Sequence, residues 1–119
     1  MPRVKGGVKA RRRHKKVLAL TKGQRATRHS LYRRAHQAML KSLSYAYFHR
    51  RKRKGDMRKL WISRISAASR VQGLTYGRLM DGLRKSGVGI NRKMLADMAV
   101  REPEAFVNLV TIAKGKAQD

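Results

Sequence analysis

The uneven distribution of charge along this chain of 119 residues constrains its fold more than any other feature. Residues 1–59 hold 21 Lys and Arg against a single acid, Asp56, for a net charge of +20, whereas residues 60–119 hold ten against five, for +5. Self-repulsion at such a charge opposes compaction, so the first half requires a polyanion to order it, and nucleic acid is the commonest one. The second half can fold alone.

The composition excludes several classes of protein. The chain has no Cys, so disulfides and thiolate metal sites are ruled out. No apolar run approaches the length of a membrane span. His29 and His36 share a helix face, but no nearby carboxylate completes a metal site. No group of residues in the sequence combines the nucleophile, base and acid of a catalytic site. We therefore expect no enzyme activity, cofactor, metal, small-molecule substrate or membrane partner.

The first half is predicted to be helical despite its charge. Small and apolar residues recur at steps of four and three along one narrow stripe, namely Leu31, Ala35, Ala38, Ser42 and Tyr45. No proline interrupts residues 3–102. We expect a helix over about residues 9–20, a break at Gly23, and one long helix over about residues 25–72, in which Gly55 is a weak point.

The second half contains residues that start and end helices at the spacing expected of a small helical bundle. Gly73 is predicted to end the long helix in a left-handed conformation, and Gly87 to end the next one. Thr75 and Asn91 are predicted to cap two short helices, and Pro103 to begin the last. The expected core comprises Trp61, Ile65, Ala68, Gln72, Leu79, Met80, Leu83, Leu95, Met98, Ala99, Phe106, Val110 and Ala113.

Two basic runs, "ARRRHKK" at 10–16 and "RRKRK" at 50–54, are the strongest functional signal. A short run alone usually indicates a solvated face, but a net +20 over 59 residues favours nucleic-acid binding. Tyr32, Tyr45, Tyr47 and Phe48 lie among the cations. Unstacked RNA bases pack on aromatic rings, so RNA is favoured over duplex DNA. For Tyr45, packing against protein is an equally good interpretation, whereas Trp61 is assigned to the core.

Three segments resemble a known family. "RVKGGVKARRRHKKVL" (3–18), "RKLWISRISAASR" (58–70) and "DGLRKSGVGINRKMLADMAV" (81–100) are similar to bacterial large-subunit ribosomal protein twenty. The resemblance implies a basic helical arm within large-subunit ribosomal RNA, a role in early subunit assembly, neighbouring ribosomal proteins as partners, and a location in the ribosome, which is cytoplasmic in a bacterium or else organellar. Some members also bind their own messenger RNA and repress its translation.

The resemblance also implies which residues contact RNA. They are Arg3, Lys5, Arg11, Arg12, Arg13, His14, Lys15, Lys16, Arg28, Arg33, Arg50, Arg51, Arg53, Arg58 and Arg64. We extend this predicted set with neighbouring cations, namely Lys9, Arg25, Arg34, Lys54, Lys59, Arg92 and Lys93. The chain departs from the family pattern at a few positions, among them Gln24 and Arg25, where the family often has an aromatic pair.

The predicted architecture is all-α, with a long basic RNA-binding arm at 1–57, largely helical when bound, and a small helical domain at 58–119. Two alternatives compete. Residues 75–116 could form a DNA-binding helix-turn-helix, but its candidate recognition helix at 92–100 carries cations only at its start. A basic coiled-coil adaptor could use the stripe at 31–45, but that repeat lasts only about two heptads.

Overall fold

The computed structural model describes residues 1–3 and 5–117, and all regular structure in this part of the chain is helical. The elements are α1 (Gly7–Leu20), a 3₁₀ turn (Ala26–His29), α2 (Tyr32–Val71), α3 (Tyr76–Lys85), α4 (Arg92–Arg101) and α5 (Pro103–Ala117). The predicted all-α class, with a long basic helix followed by shorter ones, is confirmed. None of the described helices is long and apolar enough to span a membrane.

Contacts between residues divide the chain into two compact units, Met1–Arg51 and Lys52–Asp119. The boundary falls within α2, which contributes its first part to one unit and its last part to the other. Residue 4 of the predicted arm and residues 118 and 119 of the predicted domain lie outside the described residues.

The long helix starts later than its sequence predicts. We expected it from about Arg25, whereas α2 begins at Tyr32. The reason is the backbone before it: Gly23 has a φ of 83° and Ala26 a φ of 59°, both in the left-handed region. A left-handed residue cannot continue a right-handed helix, so no α-helix runs through Gly23 and Ala26. A separate 3₁₀ turn follows and ends at Ser30, whose φ is −124°. The predicted break at Gly23 is confirmed, and the predicted start of the long helix near Arg25 was wrong.

The first unit buries few side chains. Val17 and Ala35 are buried, and so is Thr21, whose hydroxyl lies 3.2 Å from the carbonyl oxygen of Leu18, to which it donates. Of the predicted stripe at 31–45, only Ala35 is fully buried, whereas Tyr45 is 51% exposed. An apolar core this small contributes little free energy against the chain entropy lost on folding.

The second unit contains the main hydrophobic core. Its buried members are Ile65, Leu74, Leu79, Leu83, Leu95, Ala96, Phe106, Val110 and Ala113. Trp61, Ala68, Met80 and Ala99 pack against this cluster while remaining partly exposed, so the assignment of Trp61 to the core is confirmed. Helix α5 packs against α3 and, over a smaller contact, against α4. Gln72 and Met98, expected in the core, are only half-buried.

Two glycines end helices in the same way. Gly73 and Gly87 have φ values of 75° and 74°. The amide of Leu74 donates to the carbonyl of Ser69 at 3.0 Å, and that of Val88 donates to Leu83 at 3.0 Å. Each of these hydrogen bonds joins an amide to the carbonyl five residues earlier, which is the defining bond of the Schellman motif. In this motif a left-handed glycine lets the chain turn so that carbonyls left free at the helix end are hydrogen-bonded. Both predicted ends are confirmed.

The two predicted N-caps differ in outcome. The side chain of Asn91 accepts a hydrogen bond from the amide of Met94 at 2.9 Å, so this cap is confirmed. Thr75 has the extended backbone of an N-cap, and its carbonyl accepts from Leu79 at 2.9 Å, but its hydroxyl forms no capping bond. The helix begins where expected, and the predicted side-chain cap was wrong. A hydroxyl caps only when its rotamer points at the first free amides, which residue type alone does not decide.

Candidate nucleic-acid interface

The first unit presents cations without any acid to neutralise them. Residues 1–51 include 16 Lys and Arg and no Asp or Glu, and every one of these cations is exposed. Helix α1 turns Val17 inward and thereby leaves six predicted contacts in solvent: Lys9, Arg11, Arg12, Arg13, Lys15 and Lys16. Other exposed members of the predicted set are Arg3, Lys5, Arg25, Arg28, Arg33 and Arg34. Phosphates are the natural counter-charges for such a surface.

Ion pairs among the described residues do not engage these cations. Among the described residues, Lys85 pairs with Asp81 at 3.2 Å and Arg101 pairs with Asp97 at 3.1 Å, and both pairs belong to the second unit. In the first unit, the contacts of cations are instead with aromatic rings: the Arg51 guanidinium lies 4.3 Å from the ring centre of Tyr47.

The second basic run is a continuous part of α2. All five side chains at 50–54 are exposed, and at about 100° per residue they point in every direction around the helix. They include the predicted contacts Arg50, Arg51, Arg53 and Lys54, and Lys52 shares their exposure although it was left out of the predicted set. Helix α2 is uninterrupted at Gly55. A helix charged all round suits an environment with phosphates on several sides.

Two predicted contacts also hold the fold together. His14 is half-buried, and its ring centre lies 4.0 Å from that of Tyr32. The Arg92 Nε donates a hydrogen bond to the Tyr76 hydroxyl at 2.7 Å, and this side chain too is half-buried. Both side chains are therefore less free to follow an incoming phosphate than their exposed neighbours.

A concave surface of about 700 Å³ lies within the second unit. It brings together Arg64 and Lys93, two predicted contacts that are far apart in sequence, beside Trp61. Asp97 and Glu102 line the same surface, so its charge is mixed. Arg58 and Lys59 are exposed on α2 in the same unit. The surface has donors in fixed positions but lacks the uniform charge of residues 1–51.

A second concave site lies wholly in the first unit and was missed by sequence reasoning. Its volume is about 400 Å³, and its lining includes Gln24, Arg28, Arg34, Gln37, Lys41 and Tyr45. Only the two arginines belong to the predicted set. A spacing of four residues places Gln37, Lys41 and Tyr45 on one face of α2, a signal that was available in the sequence. The position of Gln24 beside these α2 side chains depends on the turn that precedes α2.

The histidines form no metal cluster in the described residues. No group of three His, Cys, Asp or Glu side chains that could hold a metal ion occurs there. His29 instead lies 3.0 Å, through Nδ1, from the carbonyl oxygen of Gln24, and the ring centre of His36 is 5.8 Å from that of Tyr32.

Comparison with known proteins places the sequence in a family. The sequence model of the family described as ribosomal protein L20 matches residues 3–109. The chain belongs to the ribosomal protein L20 family. It is 62% identical over 106 residues to the large ribosomal subunit protein bL20 of Dehalococcoides mccartyi, covering 89% of each chain. It is 59% identical over 116 residues to that of Pelotomaculum thermopropionicum, covering 98% of this chain and 99% of the relative.

Membership of the L20 family confirms several expectations. A third relative, the large ribosomal subunit protein bL20 of Heliobacterium modesticaldum, is 55% identical and matches 98% of each chain. Members of this family are structural ribosomal proteins and not enzymes, and in bacteria they work in the ribosomes of the cytoplasm. The resemblance inferred from three sequence segments was therefore correct. The helix-turn-helix and coiled-coil alternatives lose their basis.

Proposed function

We propose that this chain binds large-subunit ribosomal RNA through its exposed cations and organises that RNA early in assembly of the subunit. One observation carries the proposal: residues 1–51 present 16 exposed cations and no acid. Each phosphate that a cation neutralises releases condensed counterions, which drives binding. A helix that is charged on all sides is most easily surrounded by RNA before the RNA has folded around its final position. This supports a role early in assembly of the subunit.

We assign different tasks to the two predicted segments. The arm at 1–57 supplies phosphate contacts, which position a protein on RNA but carry little sequence information. The domain at 58–119 has donors in fixed positions and reads RNA shape through Arg58, Lys59, Arg64, Arg92 and Lys93. The alternative for this domain is docking against a neighbouring ribosomal protein, which its lower net charge also permits. Repression of its own messenger RNA would use the same cationic surfaces and would compete with ribosomal RNA.

Binding of the full chain to large-subunit ribosomal RNA is expected to weaken steeply with salt. About ten phosphate contacts give a slope of log affinity against log salt of roughly −7 on single strands and roughly −9 on duplex. Filter binding over a series of salt concentrations measures it. A slope shallower than about −2 would mean that most of the cations make no phosphate contact, and the proposed function would fail.

Two peptides are expected to behave differently in isolation. A peptide of residues 1–54 should be mostly unfolded in low-salt buffer and gain helix on addition of ribosomal RNA, because like charges and costly nucleation oppose the helix until phosphates are present. A peptide of residues 58–119 should fold alone, because it holds the main core. Circular dichroism measures both. Strong helicity of the first peptide without RNA would contradict the division of tasks.

A further inference from the structure

The concave site of the first unit is lined mainly by cationic and amide side chains. Its polar side chains combine three cations, Arg28, Arg34 and Lys41, with the amides of Gln24 and Gln37. No acid is present in residues 1–51 to repel an anion. Its volume of about 400 Å³ lies within the range of about 300–1,000 Å³ typical of small-molecule sites.

Tyr45 supplies an aromatic ring at this site. The ring is 51% exposed and lines the concave surface. His49, one turn further along α2, stacks on it with 5.7 Å between ring centres and 12° between ring planes. In the folded arm this stack orients the ring, and half of its surface is open to solvent. An exposed and oriented ring is what a nucleic-acid base requires for stacking.

Lys41 now occupies the position from which a base would approach. Its Nζ lies 5.0 Å from the ring centre of Tyr45, one turn before it. An exposed cation–π contact of this kind changes an equilibrium constant only about two- to fivefold. Stacking of a base is worth about 5- to 150-fold. A base should therefore displace the flexible lysine, whose ammonium is then free to meet the phosphate of the same nucleotide.

The turn before α2 is held in place at the edge of the site. The carbonyl oxygen of Gln24 lies 3.0 Å from His29 Nδ1, and Ala26 adopts a left-handed φ of 59°. A non-glycine residue is strained in that region. This strained turn brings Gln24 and Arg28 to the same concave surface as the side chains of α2.

We propose that this site binds one unpaired RNA nucleotide, with its base stacked on Tyr45, its edge contacted by Gln24 and Gln37, and its phosphate held by Arg28, Arg34 and Lys41. The inference rests on the proposed RNA-binding function and specifies it. A base paired within a duplex has no free face to offer to a ring. The arm thus distinguishes RNA that has a bulged or unpaired nucleotide from regular duplex, in addition to its phosphate contacts.

The test compares RNA hairpins that have one bulged nucleotide with the same hairpin lacking it. The full chain is titrated against a hairpin with a single bulged nucleotide, made in four versions with A, C, G or U, and against the same hairpin without the bulge. We expect at least one bulged version to bind about 5- to 150-fold more tightly. Tyr45→Leu should abolish this preference while leaving binding to the regular hairpin and its salt dependence unchanged. Tyr45→Phe keeps the ring and should restore the preference.

Tyr47→Leu is the matched control. Tyr47 lies on the same helix and is 55% exposed, close to the exposure of Tyr45, but it does not line the site. This variant should keep the preference for the bulged hairpin. Equal losses in the two leucine variants would overturn the assignment of the site, and so would a wild-type chain that binds both hairpins equally.

Two further outcomes separate this proposal from others. A chain that binds neither the hairpins nor large-subunit ribosomal RNA would refute the proposed function itself. Adenosine 5′-monophosphate is titrated in parallel, and it should bind far more weakly than the bulged hairpin because it lacks the surrounding phosphate contacts. If it bound as tightly in a manner dependent on Tyr45, the occupant would be a free nucleotide, and the RNA proposal would be wrong.

Discussion

Replacement of Arg11, Arg12, Arg13, Lys15 and Lys16 by Gln is expected to lower affinity for large-subunit ribosomal RNA about 10³- to 10⁴-fold at physiological salt. All five side chains are exposed on α1. If each neutralises one phosphate on duplex, the salt slope becomes shallower by about 4 to 5. The helix itself should not suffer, because like-charge neighbours at three and four positions, such as Arg11 and Lys15, destabilise it in the free chain.

A control variant removes cations that already have partners. Lys85 and Arg101 form exposed ion pairs with Asp81 and Asp97 in the second unit, and such pairs contribute little to stability. Replacing both by Gln should reduce RNA affinity only slightly and leave the salt slope nearly unchanged. Wild-type affinity and slope in the quintuple variant, with helicity in the RNA complex intact, would mean that the first basic run does not contact phosphate.

Gly82→Ala is expected to cost the second unit about 3 kcal/mol of folding free energy, which corresponds to a fall in Tm of roughly 12–24 °C. A Cβ at Gly82 would lie 2.5 Å from the carbonyl oxygen of Ala113 and 2.9 Å from its Cα. These are backbone atoms of α5, so no side-chain rotation can relieve the clash. Helix α3 must move away from α5, which opens the core around Leu79 and Val110.

Gly77→Ala provides the matched comparison, since Gly77 lies on the same helix and a Cβ there meets nothing within 4 Å. This variant should be neutral or gain up to about 1 kcal/mol, because alanine favours the helix over glycine. Thermal unfolding of the full chain, followed through the fluorescence of Trp61, the single tryptophan, reports on this core. Equal melting temperatures of the two variants would contradict the close approach of the helices at Gly82.

Local signals in the sequence were sufficient for most of the secondary structure. The helix ends at Gly73 and Gly87 and the cap at Asn91 follow from conformations and hydrogen bonds confined to a few neighbouring residues, so a short stretch of sequence predicts them. The predicted start near Arg25 failed because helix propensity gave no warning that Ala26 adopts a left-handed φ. Thr75 occupies the predicted N-cap position, but its hydroxyl forms no capping bond.

The amino-acid sequence by itself determined the class of the protein, its charge asymmetry and its family, because each depends only on which residues occur and in what order. The tertiary structure alone decided which helices approach closely and which side chains meet. Nothing about Gly82 marks it as different from Gly77 until Ala113 packs against it. Gln24 and Tyr45 likewise share a concave site only because a turn brings distant parts of the chain together. Such contacts join residues far apart in sequence, and no local propensity encodes them.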